Sequence, residues 1–163
     1  MINKILVALD TREPYSHIFN QALELAQATG AELKLISVFS TVYNPTAYYP
    51  AAASYTMTMS DAFWSTYETE LREETESTFK TLSELKAQAE NQGIQSEIIQ
   101  ADGDPGVVIC DRAKSEQVDL VIVGSLGRRG LDELLVGSVS SYVMHRATCS
   151  VMIVHGINKE SAH

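Results

Sequence analysis

The stretch VDLVIVGSLGRRGLDELLVGS, residues 118–138, is the most informative part of the sequence for the fold. It opens with a run of β-forming apolar residues, which is typical of a strand buried on both faces of a sheet. Glycines follow at positions 124, 127, 130 and 137, and a serine stands at position 138. Such a strand, followed by a glycine-rich loop and a helix, indicates either a phosphate site or a simple turn.

The alternation of strand and helix extends from this stretch towards both ends of the chain. Apolar runs typical of strands separate segments whose apolar residues recur every three or four positions, as in amphipathic helices. Gly30 stands where the first helix should end, and Asp104 and Pro105 stand where the third should begin. The predicted strands are 4–9, 32–39, 95–100, 118–124 and 150–154, and the predicted helices are 14–30, 61–91, 105–115 and 137–147.

This order of elements predicts the fold class. Strands that alternate with helices form a parallel sheet covered by helices on both faces. We therefore expect an α/β fold: a single Rossmann-like domain over residues 1–157 with a five-stranded sheet in the order 3-2-1-4-5. The predicted inner faces of the first three helices are Ile18, Phe19, Ala22, Leu23, Leu25 and Ala26; Phe63, Tyr67, Leu71, Thr75, Thr78, Leu82, Leu85 and Ala89; and Val107, Val108, Cys110 and Ala113.

Two segments depart from this alternation. Residues 40–60 contain four tyrosines and no charged residue, and they show neither helical nor strand periodicity. They predict a long inserted flexible loop, which either packs as a surface insertion or serves as a lid or a partner-binding patch. The polar tail 158–163 is expected to fray.

Composition narrows the range of partners. The chain has 163 residues, with 21 acidic and 12 basic side chains and a formal net charge of −9. This charge argues against nucleic acid or an anionic membrane as the main partner. The two cysteines, Cys110 and Cys149, lack metal-ligand spacing and are expected to be small buried residues. Without a signal peptide or a stretch of about 20 apolar residues, the chain is expected to be cytoplasmic.

The glycines and serines after residue 123 have the chemistry of a phosphate site. Gly124 and Gly127 allow the backbone to approach a ligand closely. Gly137 and Ser138 lie where a helix begins, so free N–H groups and a positive dipole end are available there. Hydroxyls of Ser138, Ser140 and Ser141 add donors. The spacing is neither that of a Walker A loop nor that of the dinucleotide-binding motif, and a purely structural turn remains the alternative.

The pattern Gly124-x2-Gly127-x9-Gly137-Ser138 resembles that of the universal stress protein family. The opening KILVALD and the GDPG turn at 103–106 are similar to the same family. The resemblance covers about residues 3 to 155 apart from the 40–60 loop, and it points to the subgroup that binds ATP.

The resemblance implies a role for individual residues. Ala8, Leu9 and Asp10 would lie by the adenine and ribose, Val38 would contact the adenine, Gly103 would shape the pocket, and Val123 and Gly124 would line the ribose side. Gly127, Gly137, Ser138, Val139 and Ser140 would hold the phosphates. Leu126 would lie by the phosphates, where many relatives carry a polar or basic residue. Asp10 is also the candidate ligand for a Mg²⁺ ion that accompanies ATP, ADP or AMP.

Three functions follow from the sequence as hypotheses. The first is a stress-response regulatory protein that binds an adenine nucleotide, the second a slow ATP hydrolase, and the third a nucleotide-independent dimeric interaction module. No residue is assigned as catalytic, because none of the four histidines has an acid or a nucleophile at motif spacing. The apolar strand 150–154 is expected at the edge of the sheet, and the resemblance implies a homodimer through it.

Overall fold

A computed structural model describes residues 1–40, 61–125 and 136–155, and for residues 61–64 it describes the backbone alone. The strands are β1 (Lys4–Ala8), β2 (Glu32–Phe39), β3 (Ser96–Asp102), β4 (Leu120–Gly124) and β5 (Ser150–Val154). The helices are α1 (Ser16–Thr29), α2 (Asp61–Glu90), α3 (Pro105–Ser115) and α4 (Ser138–Arg146). The 40–60 loop beyond Ser40, the residues Leu126 and Gly127, and the 158–163 tail lie outside the described residues.

The five strands form one parallel sheet in the order β3-β2-β1-β4-β5, which confirms the predicted fold class. β1 lies at the centre, and residues 5–7 on it are fully buried. A parallel sheet needs cover on both faces, which explains why its central strands are apolar at consecutive positions.

Local signals set the end of α1 and the start of α3 where the sequence predicts them, whereas α1 begins at Ser16 rather than at residue 14. α1 ends at Gly30, which has a left-handed φ of 73° and donates its N–H to the carbonyl of Ala26 at 2.8 Å. At the start of α3, the side chain of Asp104 accepts a hydrogen bond of 3.1 Å from the backbone N–H of Val107. The capped turn directly after β3 fixes where α3 begins.

The sheet separates two apolar cores. On one face, α1 and α2 cover residues such as Val7 and Leu35. On the other, α3 and α4 cover Leu6, Ile36 and Val121. None of the described helices is long and apolar enough to cross a membrane.

Two predicted helix faces are partly wrong. In α3, Val107 is exposed, and Ile109 packs in the core instead, beside Gly106 and Ala113. Among residues 65–90 of α2, full burial begins at Thr78, and Leu71 is 42% exposed although it continues the apolar stripe; the side chain of Phe63 lies outside the described part of the chain. Periodicity identifies the face of a helix, but it does not tell how far along the helix a packing partner extends.

Neither cysteine is fully buried. Cys110 and Cys149 are free thiols that pack at the margin of the core beneath α3 and α4. Burial raises the pKa of both thiols, so each is protonated at neutral pH. The two cysteines are therefore uncharged at neutral pH but less buried than expected.

Candidate functional site

The carboxyl ends of the five strands lie at the same end of the sheet, here termed its carboxyl edge. The strand order reverses at β1, which pairs with β2 on one side and β4 on the other. Ligands of open α/β sheets bind at this edge, in the crevice beside such a switch point. The residues that follow the strands here are therefore the candidates for a binding site.

The first of these segments, between β1 and α1, is organised by Asp10 and Arg12. The Arg12 guanidinium donates from Nε to Asp10 Oδ1 at 2.9 Å and from Nη2 to Oδ2 at 3.0 Å. The Arg12 backbone N–H also donates to Oδ1 at 3.1 Å. Asp10 is exposed at this edge, and its role in ligand binding stays a prediction.

The residues before Asp10 are less accessible. The side chain of Leu9 is buried in the α1–α2 core, and its N–H donates to the carbonyl of Ile36 at 2.9 Å. Ala8 and Val38 are half-buried and pack on the opposite face, at the margin of the α3–α4 core. The side chains of Ala8 and Val38 are therefore partly accessible, whereas that of Leu9 is not.

Gly103 follows β3 and has a specific structural reason to be glycine. Its φ is +134°, a conformation that side chains rarely adopt, and a Cβ there would lie 3.0 Å from Val108 Cγ2. Its N–H donates to the carbonyl of Phe39 at 3.0 Å, which ties it to the end of β2. This places Gly103 beside Phe39, the residue that follows Val38.

Gly124 ends β4, and the space that a side chain would occupy there is filled by another residue of the protein. A Cβ at Gly124 would lie 2.6 Å from Cδ1 of Ile18 in α1. The preceding Val123 is almost fully buried. Both residues are therefore explained by packing, and any contact they make with a ligand comes from the backbone.

The N-terminus of α4 has the features of an anion site. Its N-cap is Gly137, which has no side chain with which to cap the helix, and its first turn carries no acidic residue. The N–H groups of the first turn have no acceptors within the helix, and the dipole end is positive. Ser138 is exposed and Val139 half-buried beside them.

The hydroxyl of Ser140 is bonded within the protein rather than free to act as the predicted hydroxyl donor. The Ser140 side chain is 2% exposed, and its hydroxyl donates to the carbonyl of Gly137 at 3.1 Å. Because a hydroxyl has one proton, Ser140 is not a hydroxyl donor to a ligand in this arrangement. Its backbone N–H remains part of the first helical turn.

Two features of the edge were missed from the sequence. One is Arg12, and the other is the contact of 3.1 Å between His155 Nδ1 and Ser125 Oγ. His155 directly follows β5, so its position after a strand was the signal that could have identified it. The signal for Arg12 was its place two residues after Asp10 in the same short loop.

The described residues provide no metal cluster. No group of three or more His, Cys, Asp and Glu residues is positioned to hold an ion in this part of the chain. The Asp10 carboxylate accepts two hydrogen bonds from a guanidinium, which competes with Mg²⁺ for the same oxygens. This part of the chain therefore lends no support to Asp10 as a metal ligand.

The opposite edge of the sheet carries a different kind of cluster. Lys34 is buried there, with its ammonium paired to Glu97 of the next strand and to Glu116 at 3.1 Å. The hydrogen bond with Glu97 is the main reason that the pKa of Lys34 is raised, with Glu116 adding to the effect and burial opposing it. Two shallow cavities, of about 570 and 320 Å³, also lie at this amino edge, beside Gly30 and Lys34. These charges are satisfied by one another and so form a structural cluster.

Comparison with known proteins identifies the family. The model of the universal stress protein family matches residues 1–155. The universal stress protein YxiE of Bacillus subtilis is 33% identical over 154 residues, which cover 94% of this chain and 99% of that protein. Sll1388 of Synechocystis is 34% identical over 151 residues, covering 93% and 96%. The chain belongs to the universal stress protein family.

Solved structures share the fold. UspA from Lactobacillus plantarum matches with a TM-score of 0.74 at 21% identity, covering 94% of this chain and 97% of that one. A universal stress protein in complex with cAMP matches with a TM-score of 0.60 at 21% identity, covering 94% and 97%. The Archaeoglobus fulgidus protein in complex with dAMP matches with a TM-score of 0.59 at 20% identity, covering 94% and 98%.

Proposed function

We propose that this protein binds an adenine nucleotide (ATP, ADP or AMP) at the carboxyl edge of its sheet and acts as a regulatory protein rather than an enzyme. The observation that carries the proposal is the N-terminus of α4, where the N-cap residue Gly137 has no side chain and the first turn carries no acidic residue. Such a helix end binds phosphate through its backbone N–H groups. A nucleotide can therefore be held without a basic pocket, in a chain whose net charge is −9.

The nucleoside end of the ligand is proposed to lie between β1 and β2. Ala8 and Val38 offer half-buried apolar contacts there, and Asp10 offers an exposed carboxylate. Gly103 is proposed to border this space on the side of β3, where its N–H donates to the carbonyl of Phe39. The phosphates then extend towards Gly124, the loop at Leu126 and Gly127, and the first turn of α4 with Gly137, Ser138, Val139 and Ser140.

Two structural neighbours support an adenine-containing ligand. The ligands of these two neighbours, cAMP and dAMP, each contain an adenine base and one phosphate. Adenine is therefore proposed as the recognised base, and the number of phosphates is a variable for the experiment to determine. A Mg²⁺ ion is proposed to accompany a di- or triphosphate.

A homodimer through β5 belongs to the same proposal. β5 is the edge strand of the described sheet. Ser150 N–H donates to Asp119, and the Val154 carbonyl accepts from Ser125, so these residues face β4. Because orientation alternates along a strand, the polar backbone groups of Val151 and Ile153 face outward and are available to a second copy.

Calorimetric titration of nucleotide-free protein tests the proposed function. The ligands are ATP, ADP, AMP and cyclic AMP, each with and without Mg²⁺, and the matched controls are GTP and inorganic tripolyphosphate. We expect dissociation constants in the micromolar range for at least one adenine nucleotide and much weaker binding of both controls. Equal binding of tripolyphosphate would refute adenine recognition, and no binding by folded protein would refute the proposed function.

A further inference from the structure

We infer that His155 is a positioning residue of the proposed phosphate site, because its imidazole directs the hydroxyl of Ser125 towards the phosphate. The inference rests on the proposed function and extends it at the phosphate end of the ligand. Both residues stand outside the Gly124-x2-Gly127-x9-Gly137-Ser138 pattern. The contact between them joins the residue that follows β4 to the residue that follows β5.

Ser125 and His155 lie side by side at the carboxyl edge of the sheet. Gly124 and Val154 are register partners in the β4–β5 ladder, and the Ser125 N–H donates to the carbonyl of Val154 at 2.9 Å. The contact of 3.1 Å between His155 Nδ1 and Ser125 Oγ continues this pairing by one residue. Ser125 is half-buried and His155 is exposed, so the pair borders the solvent at this edge.

The pair lies on the face of the sheet that α3 and α4 cover. Val123 and Ile153 pack in the α3–α4 core, whereas Val154 packs in the α1–α2 core. Because side chains alternate between the two faces along a strand, the next residues, Ser125 and His155, return to the α3–α4 face. Their direct contact agrees with this placement on a common face.

The first turn of α4 reaches the same level of the sheet. α4 is the crossover between the parallel strands β4 and β5, so it runs against them and begins at the carboxyl edge. Its nine residues span about 13 Å and the five residues of β5 span about 16 Å, so the helix start lies level with the end of β5. A phosphate at this helix end therefore shares both its face and its edge of the sheet with Ser125 and His155.

The chemistry of the contact depends on which atom carries the proton. A serine hydroxyl has a single proton to donate. When His155 Nδ1 is unprotonated, the Ser125 hydroxyl donates to the ring and turns its lone pairs towards the ligand, where they repel phosphate oxygens. When Nδ1 is protonated, the ring donates to Ser125 Oγ, and the hydroxyl proton is available to the phosphate. We therefore expect the nucleotide-bound protein to hold His155 with a proton on Nδ1.

The first test is calorimetric titration with ATP and with adenosine, which has no phosphate. His155→Phe removes the ring nitrogens, Ser125→Ala removes the hydroxyl, and the double variant removes both. His155→Asn keeps a donor, because its amide Nδ2 is bonded to Cγ as the Nδ1 of histidine is. His145→Phe is the matched control, since His145 is exposed in the last turn of α4, at the other end of the helix.

We expect Ser125→Ala to weaken ATP binding about fivefold, the effect of losing one hydrogen bond to the phosphate. His155→Phe should weaken it about threefold, because a hydroxyl that is no longer held must be ordered by the ligand. In the Ser125→Ala background the same change should have no further effect. His155→Asn and His145→Phe should bind ATP within about twofold of wild type, and all the proteins should bind adenosine equally.

Four results would overturn the inference and leave the proposed function intact. They are an unchanged ATP affinity in His155→Phe, an equal loss when Ser125 is already alanine, binding by His155→Asn as weak as that by His155→Phe, and a matching loss of adenosine affinity. Each would mean that His155 does not act on the phosphate through Ser125. Wild-type protein that binds neither ATP nor adenosine would overturn both the inference and the proposed function.

A second measurement does not depend on the folding of a variant. The nitrogen chemical shifts of the His155 ring, recorded for wild-type protein saturated with ATP, report which ring nitrogen carries a proton. We expect Nδ1 to be protonated in the complex. An unprotonated Nδ1 in the ATP-bound protein would overturn the inference, because the Ser125 hydroxyl would then be donating to the ring.

Discussion

Gly103 occupies a backbone conformation that only glycine adopts readily. With φ at +134° and Val108 Cγ2 3.0 Å from the place of a Cβ, the position combines strain with a close contact. Gly30 offers a contrast, because its φ of 73° is left-handed helical and nothing lies within 4 Å of the place that a Cβ would take. Both glycines have a positive φ, but only Gly103 is also crowded by a neighbouring side chain.

We expect Gly103→Ala to lower the free energy of unfolding by about 2 kcal/mol. Gly30→Asn, at a position that asparagine tolerates, should change it by less than about 1 kcal/mol. Urea denaturation followed by circular dichroism measures both. A Gly103→Ala variant as stable as wild type would show that the turn accommodates a side chain without a loss in the free energy of unfolding. It would also show that the carboxyl edge of the sheet does not require glycine at this position.

At the scale of single residues, the sequence predicts backbone roles better than side-chain contacts. Asp104 and Gly30 act locally, and the structure places them as predicted. The pairing of Arg12 with Asp10 depends on a loop geometry that no periodicity encodes. The contact between the Gly124 site and Ile18 depends on how α1 lies on the sheet, which requires the assembled fold.

Among the elements, β2 is unusual in carrying a buried lysine. Lys34 faces Glu97 across the β2–β3 register and Glu116 at the end of α3. The cluster therefore joins two strands to one helix through a single ammonium. Because its folded pKa is raised above the unfolded value, the stabilisation is present in full below the ordinary lysine pKa of about 10.4. It is lost as the pH rises through the folded-state pKa.

We expect the free energy of unfolding of wild type to fall above about pH 10.4 more steeply than that of Lys34→Met, which has no group to titrate there. Urea denaturation of both proteins between about pH 9 and 11.5 measures the difference. Tyrosine titration is common to both and cancels in the comparison. Parallel pH profiles for the two proteins would contradict the assignment of Lys34 as a paired, charged group.

Element order and type were largely predictable from the sequence. Long helices and apolar strands carry strong periodic signals, and the order of elements in the described residues matches the predicted one. Element ends and faces were less predictable: β3 runs to Asp102 rather than to residue 100, and the N-terminal half of α2 exposes Leu71. Both depend on neighbours supplied by tertiary packing.

For the whole molecule, the position of β5 at the edge of the described sheet determines the expected assembly. We expect light scattering at micromolar concentration to give a dimer, with Val151–Val154 of two copies paired antiparallel about a two-fold axis. Val151→Pro removes an outward N–H and should shift the molecular mass to that of a monomer, since proline is tolerated at an edge. A monomeric wild type would contradict the predicted dimer, and a dimeric Val151→Pro variant would place the interface elsewhere.

The central claim is that phosphate binds at the first turn of α4, and a carboxylate placed there tests it most directly. Ser138→Asp should stabilise the helix through its dipole by about 0.5 kcal/mol and weaken ATP binding at least about tenfold. Ser77→Asp on α2 adds the same charge at another exposed position and should leave ATP affinity unchanged. Calorimetric titration of the three proteins with ATP, beside their thermal unfolding, is the measurement. Opposite changes in stability and affinity, confined to Ser138→Asp, are the predicted result; equal ATP affinity in all three proteins would contradict the account.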